Sequence, residues 1–212
     1  MALPDFVVDQ LSHPRGRLAP VTAALLNGIN FGTILAGVAA LGLLPGQRVF
    51  EVGFGGGLSI PLLLRAVGER GQVFALDPSE AMLRGVRRRH IVARLQGRLR
   101  LERASVESLP LGEGSFDAAL SLNTIPFWTD VEVGMRELAR ALGPGGRLVL
   151  GVPDPRELHE GGFVTRGFRV VEPERLGAKL PAWGFEDIRY QRTKDGTTLV
   201  VADRSDDVDD GW

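Results

Sequence analysis

The chain of 212 residues contains no cysteine. Disulfide frameworks, thiolate nucleophiles and cysteine metal sites are therefore excluded, and a reducing, cytoplasmic setting is expected. It also lacks a charge excess of either sign. With 25 basic side chains against 26 acidic ones, no global field draws the chain to nucleic acid. No Gly-Lys pair occurs, which rules out a phosphate-cradling loop of the G-x-x-x-x-G-K-[ST] type. The histidines are only His13, His90 and His159, too scattered to share a metal by spacing. Integral membrane segments are missing as well. The nearest approach is residues 18–44, uncharged but interrupted by Pro20, Asn27 and Asn30, and read as two amphipathic helices. No basic segment followed by an apolar core opens the chain, so a secretory signal is not expected.

What is present is concentrated in residues 49–64, VFEVGFGGGLSIPLLL. Residues 49–52 form a short apolar run with β-branched ends, which predicts a buried strand. Gly53, Gly55, Gly56 and Gly57 follow, then apolar residues at helical spacing. A strand that turns through glycines into a helix brings bare backbone N–H groups and a positive helix end close to a ligand. Glu51 is the odd member, because an acid at the end of a buried strand is costly without a partner. An acid on the strand with glycines after it predicts a nucleotide-like ligand bearing a cationic or hydroxyl group.

Spacing separates the candidate ligands. The dinucleotide fingerprint G-x-G-x-x-G begun at Gly53 needs a glycine where Leu58 stands. The pattern present is E-x-G-x-G-x-G, through Glu51, Gly53, Gly55 and Gly57. It resembles motif I of the class I S-adenosylmethionine-dependent methyltransferases. The resemblance continues in chain order. VFALD, residues 73–77, is a second strand ending in an acid 24 residues after Gly53. Residues 102–128 resemble the family's G-D-A-E-x-L-P-F loop and following F-D strand, with Ala104 and Ser105 in place of Gly-Asp. GPGGRLVLG, residues 143–151, matches the glycine-rich turn into the fifth strand. The four motifs cover residues 47–151.

The resemblance implies a small-molecule methyltransferase that uses S-adenosyl-L-methionine. Its fold is expected to be α/β: a doubly wound, seven-stranded, mostly parallel sheet with a C-terminal antiparallel hairpin and an N-terminal helical cap. The alternating runs place strands at 48–52, 72–77, 98–102, 116–122 and 146–151, with helices at 57–67, from Ser79, and at 130–142. Residues 185–192 and 197–202 alternate around Lys194-Asp195-Gly196, a hairpin signal. Residues 1–45 are read as arm and cap, with helices at 18–29 and 31–43, residues 46–203 as the core and 204–212 as an acidic tail.

The resemblance also assigns roles. Glu51, Gly53, Phe54, Gly55 and Gly57 would hold the methionine end of the cofactor, and Asp77 with Pro78 the ribose. Met82, Ser105 and Val106 would line the adenine. Asn123 and Thr124, just past the fourth strand, face the methyl group or the acceptor, and His159 is the candidate base. Plainer readings stand beside these. Glu51 could pair with Arg48, Asp77 could cap a helix, Asn123 and Thr124 could be turn formers, and His159 could be a surface histidine. Eight arginines lie in residues 84–103, the basis of an alternative RNA methyltransferase reading. That stretch has no Phe, Tyr or Trp to stack on bases, which argues against nucleic acid as partner. Oligomeric state has no signature in the sequence.

Overall fold

The central strands are apolar on both faces because both faces are covered by helices. In the computed structural model, which describes residues 28, 30–160 and 168–206, β1 (Arg48–Val52), β2 (Gln72–Leu76), β3 (Leu99–Glu102), β4 (Phe116–Leu122) and β5 (Leu142–Val152) run parallel. β6 (Phe185–Arg192) and β7 (Thr198–Arg204) form an antiparallel hairpin, with β7 paired antiparallel to β5. The order is β3-β2-β1-β4-β5-β7-β6. This is the doubly wound, seven-stranded sheet with a terminal hairpin that the motif order predicted. The expected arm at 1–16, the first helix at 18–29 apart from Gly28, and residues 207–212 of the tail lie outside the described residues.

Helices fill the two faces: α1 (Phe31–Ala40), α2 (Ser59–Val67), α3 (Glu80–Arg89), α4 (Ile91–Leu95), α5 (Val131–Ala141), α6 (Pro155–Glu160) and α7 (Pro173–Lys179). The period of two along a strand sorts the core. Phe50 and Val52 join one apolar cluster with Phe74, Phe116, Leu138 and Leu148. Val49 joins the other with Ile60, Leu63, Val73 and Val86. Phe116 stacks edge-on against Phe50 and Phe74, with ring centroids 5.0 and 4.8 Å apart. Glu51 alternates with these neighbours, so the pleat turns it toward α2. In the β1–β2 register it lies opposite Ala75, two residues before Asp77. Both acids therefore belong to the same face of the sheet.

Three local features departed from the sequence reading. The arginine-rich segment is two helices, interrupted at His90 (φ −117°, ψ 35°). β5 begins at Leu142, because the Gly143–Gly146 turn stays in the sheet through a register shift opposite Phe116 and Ala118. α7 and a 3₁₀ turn at Leu180–Trp183 occupy a stretch to which the pattern assigned no element, burying Leu176 and Leu180 in the core. Each of these two is short, with proline in its first turn, so neither shows a helical repeat long enough to read.

Candidate functional site

β1 and β4 are hydrogen-bonded neighbours from which the chain winds outward in opposite directions, toward β2 and toward β5. Crevices outside the carboxyl ends of strands at such a switch point receive ligands in open α/β sheets. Here the crevice is built from the glycine turn after β1, the loop after β2 and the loop after β4. Gly53, Gly55 and Gly57 all have left-handed backbones (φ 77°, 50° and 74°), which side-chain-bearing residues adopt at a cost. At Gly57 a Cβ would also stand 2.6 Å from the Val86 methyl of α3. The turn is tied down by Gly53 N–H to Leu76 O (2.7 Å) and Gly57 N–H to Phe54 O (2.8 Å). Phe54 is itself buried beneath it.

Both acids lie at this turn. Ser59, first residue of α2, donates its hydroxyl to Glu51 Oε2 at 2.7 Å. That is the only hydrogen bond to the Glu51 carboxylate among the described residues. Arg48 is not its partner, since the guanidinium lies over the Phe116 ring, 4.9 Å from the centroid. Burial, reinforced by the nearby Asp77 charge and only partly offset by Ser59, pushes the Glu51 carboxyl up to about 7. Asp77 bridges two loops: Oδ2 accepts Gly55 N–H (3.0 Å) and Oδ1 accepts Ser79 N–H (2.8 Å). Burial raises it to about 6 against those two bonds. The N-cap of α3 is Ser79, whose hydroxyl accepts Met82 N–H, so Asp77 is left to the crevice.

A carboxylate has about four lone-pair positions. Glu51 uses one and Asp77 two, so both retain acceptor capacity for a ligand. The buried pair disfavours an anion and suits a ligand with hydroxyls and a positive charge. Met82 is buried in the first turn of α3 and Val106 is buried after β3. Pro78 and Ser105 are exposed, and the Pro78 carbonyl accepts Arg103 Nε at 3.0 Å.

The β4 loop is held by an ordered chain of hydroxyls. Trp128 Nε1–H donates to Thr124 Oγ1 (3.0 Å), and Ser121 Oγ donates to Val52 O (3.0 Å). The 2.6 Å bond between Thr124 and Ser121 must then run from Thr124 to Ser121, because the serine proton is already used. The Thr124 methyl is thereby fixed against Gly53. Asn123 takes a left-handed backbone (φ 57°). Its amide donates to Asn30 Oδ1 (2.8 Å) and accepts from Thr197 Oγ1 (3.1 Å). It thus joins the residue before α1 to the β6–β7 hairpin. At the tip of that hairpin, Asp195 Oδ2 accepts Thr33 N–H at 2.8 Å, serving the first turn of α1. His159 is exposed on α6, the helix after β5.

Residues 50–150 match a family model described as a methyltransferase domain. An uncharacterized methyltransferase of Bacillus subtilis, YdaC, is 33% identical over 151 residues, covering 71% of this chain and 78% of that protein. The chain belongs to the class I S-adenosylmethionine-dependent methyltransferases. A ubiquinone/menaquinone biosynthesis C-methyltransferase, UbiE of Edwardsiella ictaluri, is 33% identical over 109 residues, 51% of this chain but only 43% of the relative. Solved structures of the same fold include a putative methyltransferase of Haloferax volcanii in complex with the Trm112 methyltransferase activator. It superposes with a TM-score of 0.77 at 17% identity, covering 90% of this chain and 99% of that one. A SAM-dependent methyltransferase of Aquifex aeolicus gives a TM-score of 0.69 at 20% identity, covering 87% and 97%.

Within this methyltransferase fold, Ser59 and Ser121 have no role in the sequence reading, and Asp195 has one only as a hairpin residue. Ser121 did carry a signal, as a polar residue inside the apolar β4 run. The contact of Asp195 with α1 carried none, since it is made across 162 residues of chain. No group of three or more acids and histidines suited to a metal ion occurs among the described residues.

Proposed function

We propose that this methyltransferase transfers the methyl group of S-adenosyl-L-methionine to a small-molecule acceptor, with the cofactor in the crevice over Gly53–Gly57. The observation that carries this is the pair of buried acids, Glu51 and Asp77, each with unused acceptor positions on either side of a bare left-handed turn. When bound, the cofactor supplies an electrophilic sulfonium methyl. The protein's part is to bind, orient and exclude water. Glu51 would hold the ammonium end, and the turn from Gly53 through Phe54 and Gly55 to Gly57 would lie under the methionine chain. Asp77, with Pro78 beside it, would accept the ribose hydroxyls, and Met82, Ser105 and Val106 would border the adenine.

The acceptor side is assigned to the β4 loop. The side-chain hydrogen bonds of Asn123 and Thr124 are made within the protein, so the pair shapes the space beside the methyl group and holds α1 across it. His159, at the same carboxyl edge, is assigned the acceptor's proton. Exposed Phe31 and Phe127 offer apolar contact at the rim. An aromatic or otherwise apolar metabolite fits that rim, and the likeness to a quinone-pathway C-methyltransferase supports the same class.

The test is turnover with labelled cofactor against a metabolite panel and against total RNA. The reading expects labelled small molecules and unlabelled RNA. Label found in RNA alone would overturn it in favour of the arginine-rich segment. For His159→Ala, kcat should fall while cofactor affinity is unchanged; an unaltered kcat removes it as the base.

A further inference from the structure

The arginine-rich segment has a second side that the cofactor site leaves unused. Met82, Leu83 and Val86 bury one stripe of α3 against the sheet. His90 N–H closes α3 on Val86 O, and His90 O opens α4 by accepting Arg94 N–H, both at 3.1 Å, so α4 follows α3 directly across the interruption at His90. The surface so formed exposes Arg84 and Arg88 from α3 and Ile91, Val92, Arg94 and Leu95 from α4. Its apolar members protrude: Ile91 is 55% exposed, Val92 63% and Leu95 83%. The guanidinium groups of Arg84, Arg88 and Arg94 make no hydrogen bond or ion pair with any described residue.

The charge is strongly localised. Residues 84–103 hold eight arginines and one acid, Glu102, a net of +7 in a chain whose total is −1. Five of the eight are engaged elsewhere, and the three left unpaired, Arg84, Arg88 and Arg94, favour an anionic occupant. Nucleic acid fits poorly, because the segment offers aliphatic side chains and no aromatic ring for stacking. A second copy of the chain would set arginines against arginines. Aliphatic side chains that stand out from a convex turn, ringed by unpaired arginines whose stems can lie flat while their heads reach outward, match the boundary of a bilayer with anionic headgroups.

We propose that the face formed by Arg84, Arg88, Ile91, Val92, Arg94 and Leu95 docks the enzyme on an anionic lipid surface. α4 lies at the end of the sheet where β3 begins, away from the carboxyl edge that holds the glycine turn. The attachment is peripheral, consistent with the finding that no described helix is long and apolar enough to cross a membrane.

Co-sedimentation of the full chain with phosphatidylglycerol–phosphatidylcholine vesicles, and with phosphatidylcholine vesicles alone, tests this. Binding is expected only to the anionic vesicles and should weaken as salt is raised. The pairs Ile91→Ser with Leu95→Ser, and Arg84→Gln with Arg88→Gln, should each lower the partition by about tenfold or more. S-adenosylhomocysteine affinity, measured on the same variants, should stay at the parent value, which separates failure of this proposal from failure of the cofactor assignment. No sedimentation with anionic vesicles, or equal sedimentation of parent and variants, overturns it. So does retention on RNA, or self-association in sedimentation velocity, if the variants abolish that instead of lipid binding.

Discussion

Replacing Glu51 by glutamine should make the free protein more stable and the cofactor-bound protein weaker. The glutamine oxygen can still accept the Ser59 hydroxyl, so the change removes the charge and exchanges the second oxygen for an amide nitrogen. In the folded chain the carboxyl sits at about 7 instead of its ordinary 4.5, chiefly because it is buried. The folded state therefore holds the proton more tightly than the unfolded state. Its contribution to stability is whole below about pH 4.5 and is lost as pH rises through 7, reaching a cost of about 3 kcal/mol by pH 8. Glu51→Gln should recover that amount at pH 8 and about 1 kcal/mol or less at pH 5. For a chain of this size 3 kcal/mol is roughly 6–12 °C in melting temperature. Thermal unfolding of both proteins at the two pH values reads the difference. At pH 8, titration calorimetry with S-adenosylmethionine should show the variant binding about tenfold or more weakly, because its ammonium loses a charged acceptor. A stabilisation that is equal at pH 5 and pH 8, or a destabilisation at pH 8, would refute the reasoning.

Other expectations follow from neighbouring contacts. Thr124→Val keeps the methyl against Gly53 but strands the Trp128 indole N–H, so urea unfolding should show a loss of about 1–3 kcal/mol, while Thr124→Ser should recover most of it. Asp195→Ala removes the acceptor from the first turn of α1. A loss of about 0.5–2 kcal/mol is expected, with hydrogen exchange rising at Thr33 and along α1 and staying unchanged in β1. Uniform protection in α1 would show that the hairpin does not hold it. Asp77→Ala releases the Gly55 and Ser79 amides together, so cofactor affinity should fall by about tenfold or more; an unchanged Kd would detach Asp77 from the site.

The parts of this molecule that were legible in its sequence are the parts encoded locally. The order of strands follows from short apolar runs separated by helical repeats, and the hairpin from Asp195-Gly196 between two alternating segments. Gly53, Gly55 and Gly57 announced the turn because a left-handed backbone constrains residue type at the position itself. Glu51 stood out because an acid in an apolar run is costly wherever the strand is buried. What could not be read are contacts made through space. Ser59 reaches Glu51 only once α2 has folded back, and Asp77, whose bond to Ser79 N–H is local, reaches the Gly55 amide only because β1 and β2 are in register. The same holds for Asn123, which sequence spacing placed beside the acceptor. Its partners Asn30 and Thr197 lie on two other elements, and only the folded sheet brings the three together.

In the proposed site an adenosyl ligand lies across the carboxyl ends of β1 and β2, between two buried acids. A crystal structure with S-adenosylhomocysteine tests it most directly. Ribose hydroxyls are expected on Asp77, with the amino group directed to Glu51 and the chain between them over Gly53–Gly57. Clear ligand density elsewhere on the protein, with that crevice filled by the chain's own side chains, would contradict it.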